Sequence, residues 1–193
     1  MTPKSKSDTR HGPRWIPGDP RGKSLVDGIV RVDHAGEYGA TRIYAGQIAV
    51  LGDRHRAAPE LRHMLAQEQE HLKTFEKMIV ARRVRPTALT PLWHVAGFAL
   101  GAVTAAMGEK AAMACTVAIE EAIDEHYAAQ AQALESLPEE AELKSVVEKF
   151  REEEMEHRDT ALANGAEQAL GYPVLSAAIK AGSRLAIWLS QRV

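Results

Sequence analysis

Glu-x-x-His places a carboxylate and an imidazole one turn apart on one face of a helix, where both can reach a single cation. The chain carries this pair three times, as Glu60/His63, Glu68/His71 and Glu154/His157. A glutamate-rich sequence of this length yields about one such pair by chance, so the motif needs a second filter. Symmetry supplies it. In an antiparallel helical hairpin, residues at equal height lie at equal sequence distance from the turn. Glu37 and Glu68 are centred on Gly52-Asp53, and Glu120 and Glu154 are centred within Ser136-Leu137-Pro138. Each candidate falls roughly 15–17 residues from its turn, or roughly 23–25 Å at about 1.5 Å per residue, which puts both sets at mid-height. Reflecting Glu60 across the first turn reaches Ala45, which has no donor, so Glu60/His63 reads as solvated helix-end charge.

Each half therefore supplies one carboxylate helix and one Glu-x-x-His helix. The converging set is Glu37, Glu68, His71, Glu120, Glu154 and His157, four carboxylates and two imidazoles, enough for two metal ions. Burying four carboxylates without cations is prohibitively costly. The opposing interpretation, that these are surface glutamates of a charged bundle, has no reason to place them at matched heights. Oxygen-rich ligation with two imidazoles and no thiolate favours iron or manganese over structural zinc. Tyr44 and Tyr127 each follow the first glutamate of their half by seven residues, on the same helix face two turns along. The repeat implies an all-α, ferritin-like four-helix bundle built from two duplicated hairpins. By analogy with other sites of that type, Glu68 and Glu154 bridge the metals while Glu37 and Glu120 bind terminally.

The elements that must position these residues follow from apolar periodicity and from breakers. Ser24 is a candidate N-cap, and Ile29, Val32, Ala40, Ile43, Ile48 and Leu51 recur at helical spacing, predicting a helix over 24–52. Pro59 can open a second helix that Arg85-Pro86 stops. A third spans 109–135, a fourth 139–169 up to Gly171-Tyr172-Pro173, and a short amphipathic helix 174–191 closes the chain. Residues 1–22 contain four prolines and no apolar run, read as a flexible arm without a secretory signal, and 23–193 as a single domain.

With 193 residues, 45% hydrophobic and 26% charged, the chain is long enough for one well-cored domain. Its formal charge of -2 gives no electrostatic reason to hold nucleic acid. The single cysteine, Cys115, cannot form an internal disulfide and reads as a small buried side chain suited to a reducing compartment.

Between the hairpins, PTALTPLWHVAGFALGAVTAAMG (86–108) has no charged side chain. It is a poor membrane span, with two prolines, His94 and three glycines, and one crossing would put the two half-sites on opposite sides of a bilayer. This segment and the last helix, apolar at Leu175, Ile179, Leu185 and Leu189 and basic at Lys180, Arg184 and Arg192, suit an apolar interface or a channel wall; a buried bundle cap or a dimer contact is the alternative. Trp93 and Trp188 fit either interface anchors or core aromatics. His34 and His94 read as hydrogen-bonded helix histidines, and His126 as a residue near the metals or a local hydrogen-bond partner.

The blocks RVDHAGEYGATRIYAGQIAVL, QEQEHL, RPTALTPLWHVAGFALGA, ACTVAIEEAIDEHY and EEEMEHRD, in this order, resemble the demethoxyubiquinone hydroxylase family from about Asp27 to Val193. The resemblance implies the same six ligands and a di-iron centre holding two Fe2+. It implies a peripheral membrane enzyme of ubiquinone biosynthesis, an oxidoreductase that hydroxylates a polyprenyl benzoquinol ring with O2. His126 and Tyr127 would lie by the quinone site. Trp188 stands where the family can carry a tyrosine, a departure that bears on any redox role there. Implied partners are the quinol, O2, a reductant such as NADH or a second quinol, the membrane surface, and a homodimer or a ubiquinone-biosynthesis complex. The implied location is the cytoplasmic face of a bacterial membrane or the matrix face of the mitochondrial inner membrane. The competing classes are a ferroxidase or iron-binding protein of ferritin type, a radical-generating reductase subunit and a structural membrane scaffold.

Overall fold

The computed structural model describes residues 22–193, so the arm expected over the first residues lies outside it except for Gly22. All the regular structure described is helical. Helix α1 (Lys23–Leu51) and α2 (Ala58–Arg82) form one hairpin, α4 (Glu109–Leu134) and α5 (Ala141–Ala163) the other, with α3 (Thr90–Ala106) between them and α6 (Tyr172–Ser190) last. The N-cap of α1 is Gly22 and not Ser24, which lies inside the first turn. The Gly22 carbonyl accepts the first helical bond, from Val26 N at 3.1 Å, no side chain caps the first-turn N–H groups, and Lys23 pairs with Asp27 one turn on.

Between α1 and α2 the chain reverses at Gly52, whose φ of 82° is easily reached without a Cβ, and Pro59 sits in the first turn of α2. Helix α2 stops where Arg83 turns left-handed at φ 54° and Val84 N bonds back to Ile79 O at 3.0 Å, before Pro86 can interfere. The fourth bundle helix is shorter than 139–169. Pro138–Glu140 and Ala166–Gln168 are separate 3₁₀ turns, and α5 ends at Asn164-Gly165, where Gly165 takes φ 85°. Gly171, also left-handed, redirects the chain into α6.

Two apolar clusters plug the bundle. One gathers Val30, Phe75, Leu134, Leu143 and Val147, and the other Leu61, Met64, Met113, Val117 and Ala161. The polar residues of the bundle interior lie between these plugs, shielded from water at both ends. A third cluster, with Ile43, Cys115, Ala118 and Ile179, lies under α3 and α6. Cys115 is fully buried there, and burial pushes its thiol up to about 12, so it remains a neutral apolar side chain.

The uncharged crossover contains α3, laid along α1. A Cβ at Gly97 would meet Gly39 O at 2.9 Å, and one at Gly101 would collide with the Ile43 carbonyl, so the two backbones approach more closely than side chains permit. The far side of α3 is open: Leu92, Val95, Val103 and Met107 are each more than half exposed. The segment thus buries one face against α1 and leaves the other exposed. No helix among the described residues is long and apolar enough to cross a membrane.

Candidate metal centre

Six side chains from four helices meet at mid-height of the bundle. Glu37 comes from α1, Glu68 and His71 from α2, Glu120 from α4, and Glu154 and His157 from α5; none is more than 4% exposed. Their donor atoms form two groups, Glu37/Glu68/His71/Glu154 and Glu68/Glu120/Glu154/His157, with one donor atom per residue within 4.8 Å of the others in each. Glu68 and Glu154 belong to both groups, the relation expected of bridging carboxylates. Glu60 and His63 lie on the exposed face of α2, far from having any such companions.

Each imidazole turns Nδ1 inward. His71 Nδ1 lies 3.0 Å from Glu154 Oε1 and 3.4 Å from Glu37 Oε2, while His157 Nδ1 lies 3.0 Å from Glu154 Oε2 and 3.2 Å from Glu68 Oε1. Glu154 is the hub. Burial acts to raise its carboxyl, but the two histidines outweigh that and hold it down at about 2. Burial acts to lower His71, and hydrogen bonding to Glu154 and Glu37 overrides it, raising the ring to about 11. Glu68 and Glu120 move the other way: burial, then repulsion from neighbouring carboxylates, lifts both well above the usual range.

Neither oxygen of Glu68, nor Oε2 of Glu120, is hydrogen-bonded: His157 Nδ1, although 3.2 Å from Glu68 Oε1, directs its bond to Glu154. Fully buried carboxylate oxygens without donors are costly unless a cation satisfies them. Four carboxylates formally balance two divalent ions, so the donor set fits a pair of such ions in the two pockets.

The tyrosines do something the spacing along one helix does not reveal. Tyr44 of α1 donates to Glu120 of α4 at 2.9 Å, and Tyr127 of α4 donates to Glu37 of α1. Each phenol therefore orients the terminal carboxylate of the opposite hairpin. Burial, then the adjacent carboxylate charge, raises both phenols well above their ordinary value and keeps them as donors. The signal was present: the pairs Tyr44/Glu120 and Glu37/Tyr127 share one sequence midpoint, as equal heights on antiparallel α1 and α4 require.

Four further polar residues, Asp33, Gln130, Gln67 and Glu153, escaped the sequence reading. Asp33 is buried one turn before Glu37 and accepts from Gln130 Nε2 at 2.6 Å. Burial raises its carboxyl, opposed by His126, whose Nε2 lies 3.5 Å away. His126 thus meets Asp33 and Gln130, adjacent to Tyr127 but not among the inner donors. Gln67 and Glu153 receive the outer nitrogens of the histidines, His157 Nε2 at 3.0 Å and His71 Nε2 at 2.7 Å. Of the other histidines, His94 is paired with Tyr38 at 2.6 Å as expected, whereas His34 leaves Nδ1 unpartnered, and burial lowers its affinity for a proton.

Beside the centre, α1, α3, α4 and α6 line a half-open cavity of about 560 Å³. Ala40, Ile43, Leu100, Ile119, Ile123 and Ile179 set its character, and its lining among the described residues contains no charged side chain. Gly36 and Ile119 on its wall are the chain neighbours of Glu37 and Glu120.

The sequence matches the family described as ubiquinone biosynthesis protein COQ7 over residues 24–190. It is 62% identical over 180 residues to a 3-demethoxyubiquinol 3-hydroxylase of Rhodospirillum rubrum, covering 92% of this chain and 83% of that one. The human protein named NADPH-dependent 3-demethoxyubiquinone 3-hydroxylase, mitochondrial, is 55% identical over 173 residues, 89% of this chain and 79% of its own. The Saccharomyces cerevisiae 5-demethoxyubiquinone hydroxylase, mitochondrial, is 41% identical over 184 residues, with coverage of 88% and 79%.

Proposed function

This chain belongs to the COQ7 family of ubiquinone biosynthesis proteins, and from that premise we propose that it is a di-iron monooxygenase hydroxylating the ring of a demethoxyubiquinol with O2. The substrate type is a 2-polyprenyl-3-methyl-6-methoxy-1,4-benzoquinol. A ring C–H becomes C–OH, the second oxygen atom leaves as water, and two electrons and two protons are consumed. The observation that carries this reading is the doubled donor set with two shared carboxylates, set against an uncharged cavity.

Glu37, Glu68, Glu154 and His71 would hold one iron, and Glu68, Glu120, Glu154 and His157 the other. When bound there, ferrous iron supplies the O2 chemistry that the side chains alone cannot perform. The protein's contribution is position and dryness. Tyr44 and Tyr127 fix the terminal carboxylates, and the apolar plugs above and below keep bulk water out. The cavity offers an apolar route by which a lipid-tailed ring would approach Glu37 and Glu120, whose chain neighbours Gly36 and Ile119 line it. Tyr127, bonded to Glu37, and His126, beside Asp33, would lie by the quinone head group.

The open faces of α3 and α6, with Leu92, Val95, Val103, Leu185 and Trp188 exposed, supply the surface by which the protein would rest on a membrane and admit its substrate. That surface lies on the cytoplasmic side in a bacterium or the matrix side in a mitochondrion. No GxGxxG fingerprint is present, so a nicotinamide reductant would be held by another arrangement, or a second quinol supplies the electrons.

Reduced, iron-loaded protein incubated with the methoxy-benzoquinol and labelled O2 should place one labelled oxygen atom on the ring, read by mass spectrometry. Rapid iron oxidation with a growing mineral core and an unlabelled ring would instead establish the ferroxidase class.

A further inference from the structure

The two metal pockets have the same inner chemistry: each has three carboxylates, two of them shared, and one imidazole presenting Nδ1. They part company at the outer ring nitrogens. His71 Nε2 meets a carboxylate, Glu153 Oε2, at 2.7 Å; His157 Nε2 meets a neutral amide, Gln67 Oε1, at 3.0 Å. Glu153 and Gln67 occupy equivalent places, each directly before the shared glutamate of its helix, and each reaches across to the histidine of the other hairpin. The stacking also differs: Phe150 lies parallel on His71 at 3.9 Å, whereas Tyr44 stands edge-on to His157 at 6.2 Å.

An anionic acceptor on the far nitrogen of a metal-bound imidazole orients the ring and makes its other nitrogen a stronger donor than a neutral acceptor does. Lys149 draws on the Glu153 charge, but only through Oε1 at 3.5 Å and from an exposed position, leaving Oε2 to His71. We propose that Glu153 and Gln67 are positioning residues that make the metal positions inequivalent, so that the Glu37/Glu68/His71/Glu154 pocket fills first. The inference rests on the di-metal reading of the six donors. Asp33 and His126 lie on the Glu37 side alone, so the substitutions that isolate the outer acceptors are the isosteric ones at 67 and 153.

The test is anaerobic titration of the metal-free full chain with Mn2+, followed by calorimetry and by electron paramagnetic resonance at one equivalent per chain. The wild type should bind in two resolved steps, with an isolated six-line signal dominating at one equivalent. His157→Gln should keep the first step, and His71→Gln should lose it. Glu153→Gln should weaken the first step roughly 10- to 100-fold and merge it with the second, the range typical when an outer partner of a metal-bound histidine is lost. Gln67→Glu, which disturbs no inner donor, should tighten the second step. Two ions entering in one indistinguishable step, with a spin-coupled signal already dominant at one equivalent, would overturn the inference while sparing the di-metal reading. Unchanged titrations in folded Glu153→Gln and Gln67→Glu would also overturn it. Failure of the wild type to bind Mn2+ at all would remove both.

Discussion

The two hairpins repeat each other at the centre and diverge around it. Glu37, Tyr44, Glu68 and His71 have counterparts in Glu120, Tyr127, Glu154 and His157, spaced alike along their helices. One layer out, Asp33 answers to Thr116, Ile43 to His126 and Gln67 to Glu153. Side chains that supply the inner donor atoms or hydrogen-bond the terminal carboxylates repeat in both halves. The layer behind them differs, and there the structure places its ionisable Asp33 and His126 on one side only. The outer layers differ too. Helix α3 presses on α1 backbone to backbone through Gly97 and Gly101, whereas α6 is tied to α4 by the ion pairs Lys180–Glu121 and Arg184–Glu125.

The largest effect should come from the two residues shared by both donor groups. Glu68→Ala or Glu154→Ala is expected to abolish binding at both metal positions, while Glu60→Ala should leave metal content unchanged, measured after anaerobic reconstitution. A Glu60 variant that lost metal as completely as Glu68→Ala would break the mirror relation between the helices.

Next in size is a pH effect shared by both pockets. The raised carboxyls of Glu68 and Glu120 bind protons in the metal-free fold at pH values where an unfolded glutamate, near 4.5, has lost them. Their contribution to metal-free stability is therefore greatest in acid and falls as pH rises above that value. His71, raised to about 11, likewise keeps a proton that a metal ion at Nδ1 must displace. Metal binding should release protons and weaken as pH falls, and the Tm gap between loaded and metal-free protein should widen from pH 5.5 to 8. A gap that narrowed over that interval would contradict the burial of these carboxylates.

Tyr44→Phe and Tyr127→Phe probe the same contact from opposite halves. Each removes a hydrogen bond to a buried carboxylate, at about 1.5–3 kcal/mol, and chemical denaturation should find the two losses similar. Unequal losses would show that the surrounding asymmetry reaches the terminal carboxylates. The two outer layers should separate further: Gly101→Ala forces α3 from α1 and should cost about 1–3 kcal/mol. Arg184→Ala, removing an exposed ion pair, should cost less than about 1 kcal/mol.

What was legible in the sequence was whatever two antiparallel neighbours constrain. The six central residues stand out because glutamates at matched heights in two hairpins leave few alternatives, and Pro59, Pro86 and Gly52 mark the hairpin boundaries. The Tyr44–Glu120 and Tyr127–Glu37 contacts depend on α1 lying beside α4, a tertiary fact that motif spacing within one helix does not encode. The early end of α5 was hidden because 165–169 keeps the composition of a helix, and only the left-handed Gly165 breaks it. Glu153 and Gln67 look like ordinary surface residues until the histidines across the bundle are in place. The crossover gave opposite signals because α3 buries one face and exposes the other.

The central claim is that both halves build one dinuclear centre, and it is tested most directly by counting iron and measuring its magnetic coupling in the same sample. Anaerobically reconstituted protein should contain two ferrous ions per chain, and after oxidation Mössbauer spectra in applied field should show a single exchange-coupled pair. One iron per chain, or two that remain magnetically independent, would contradict it.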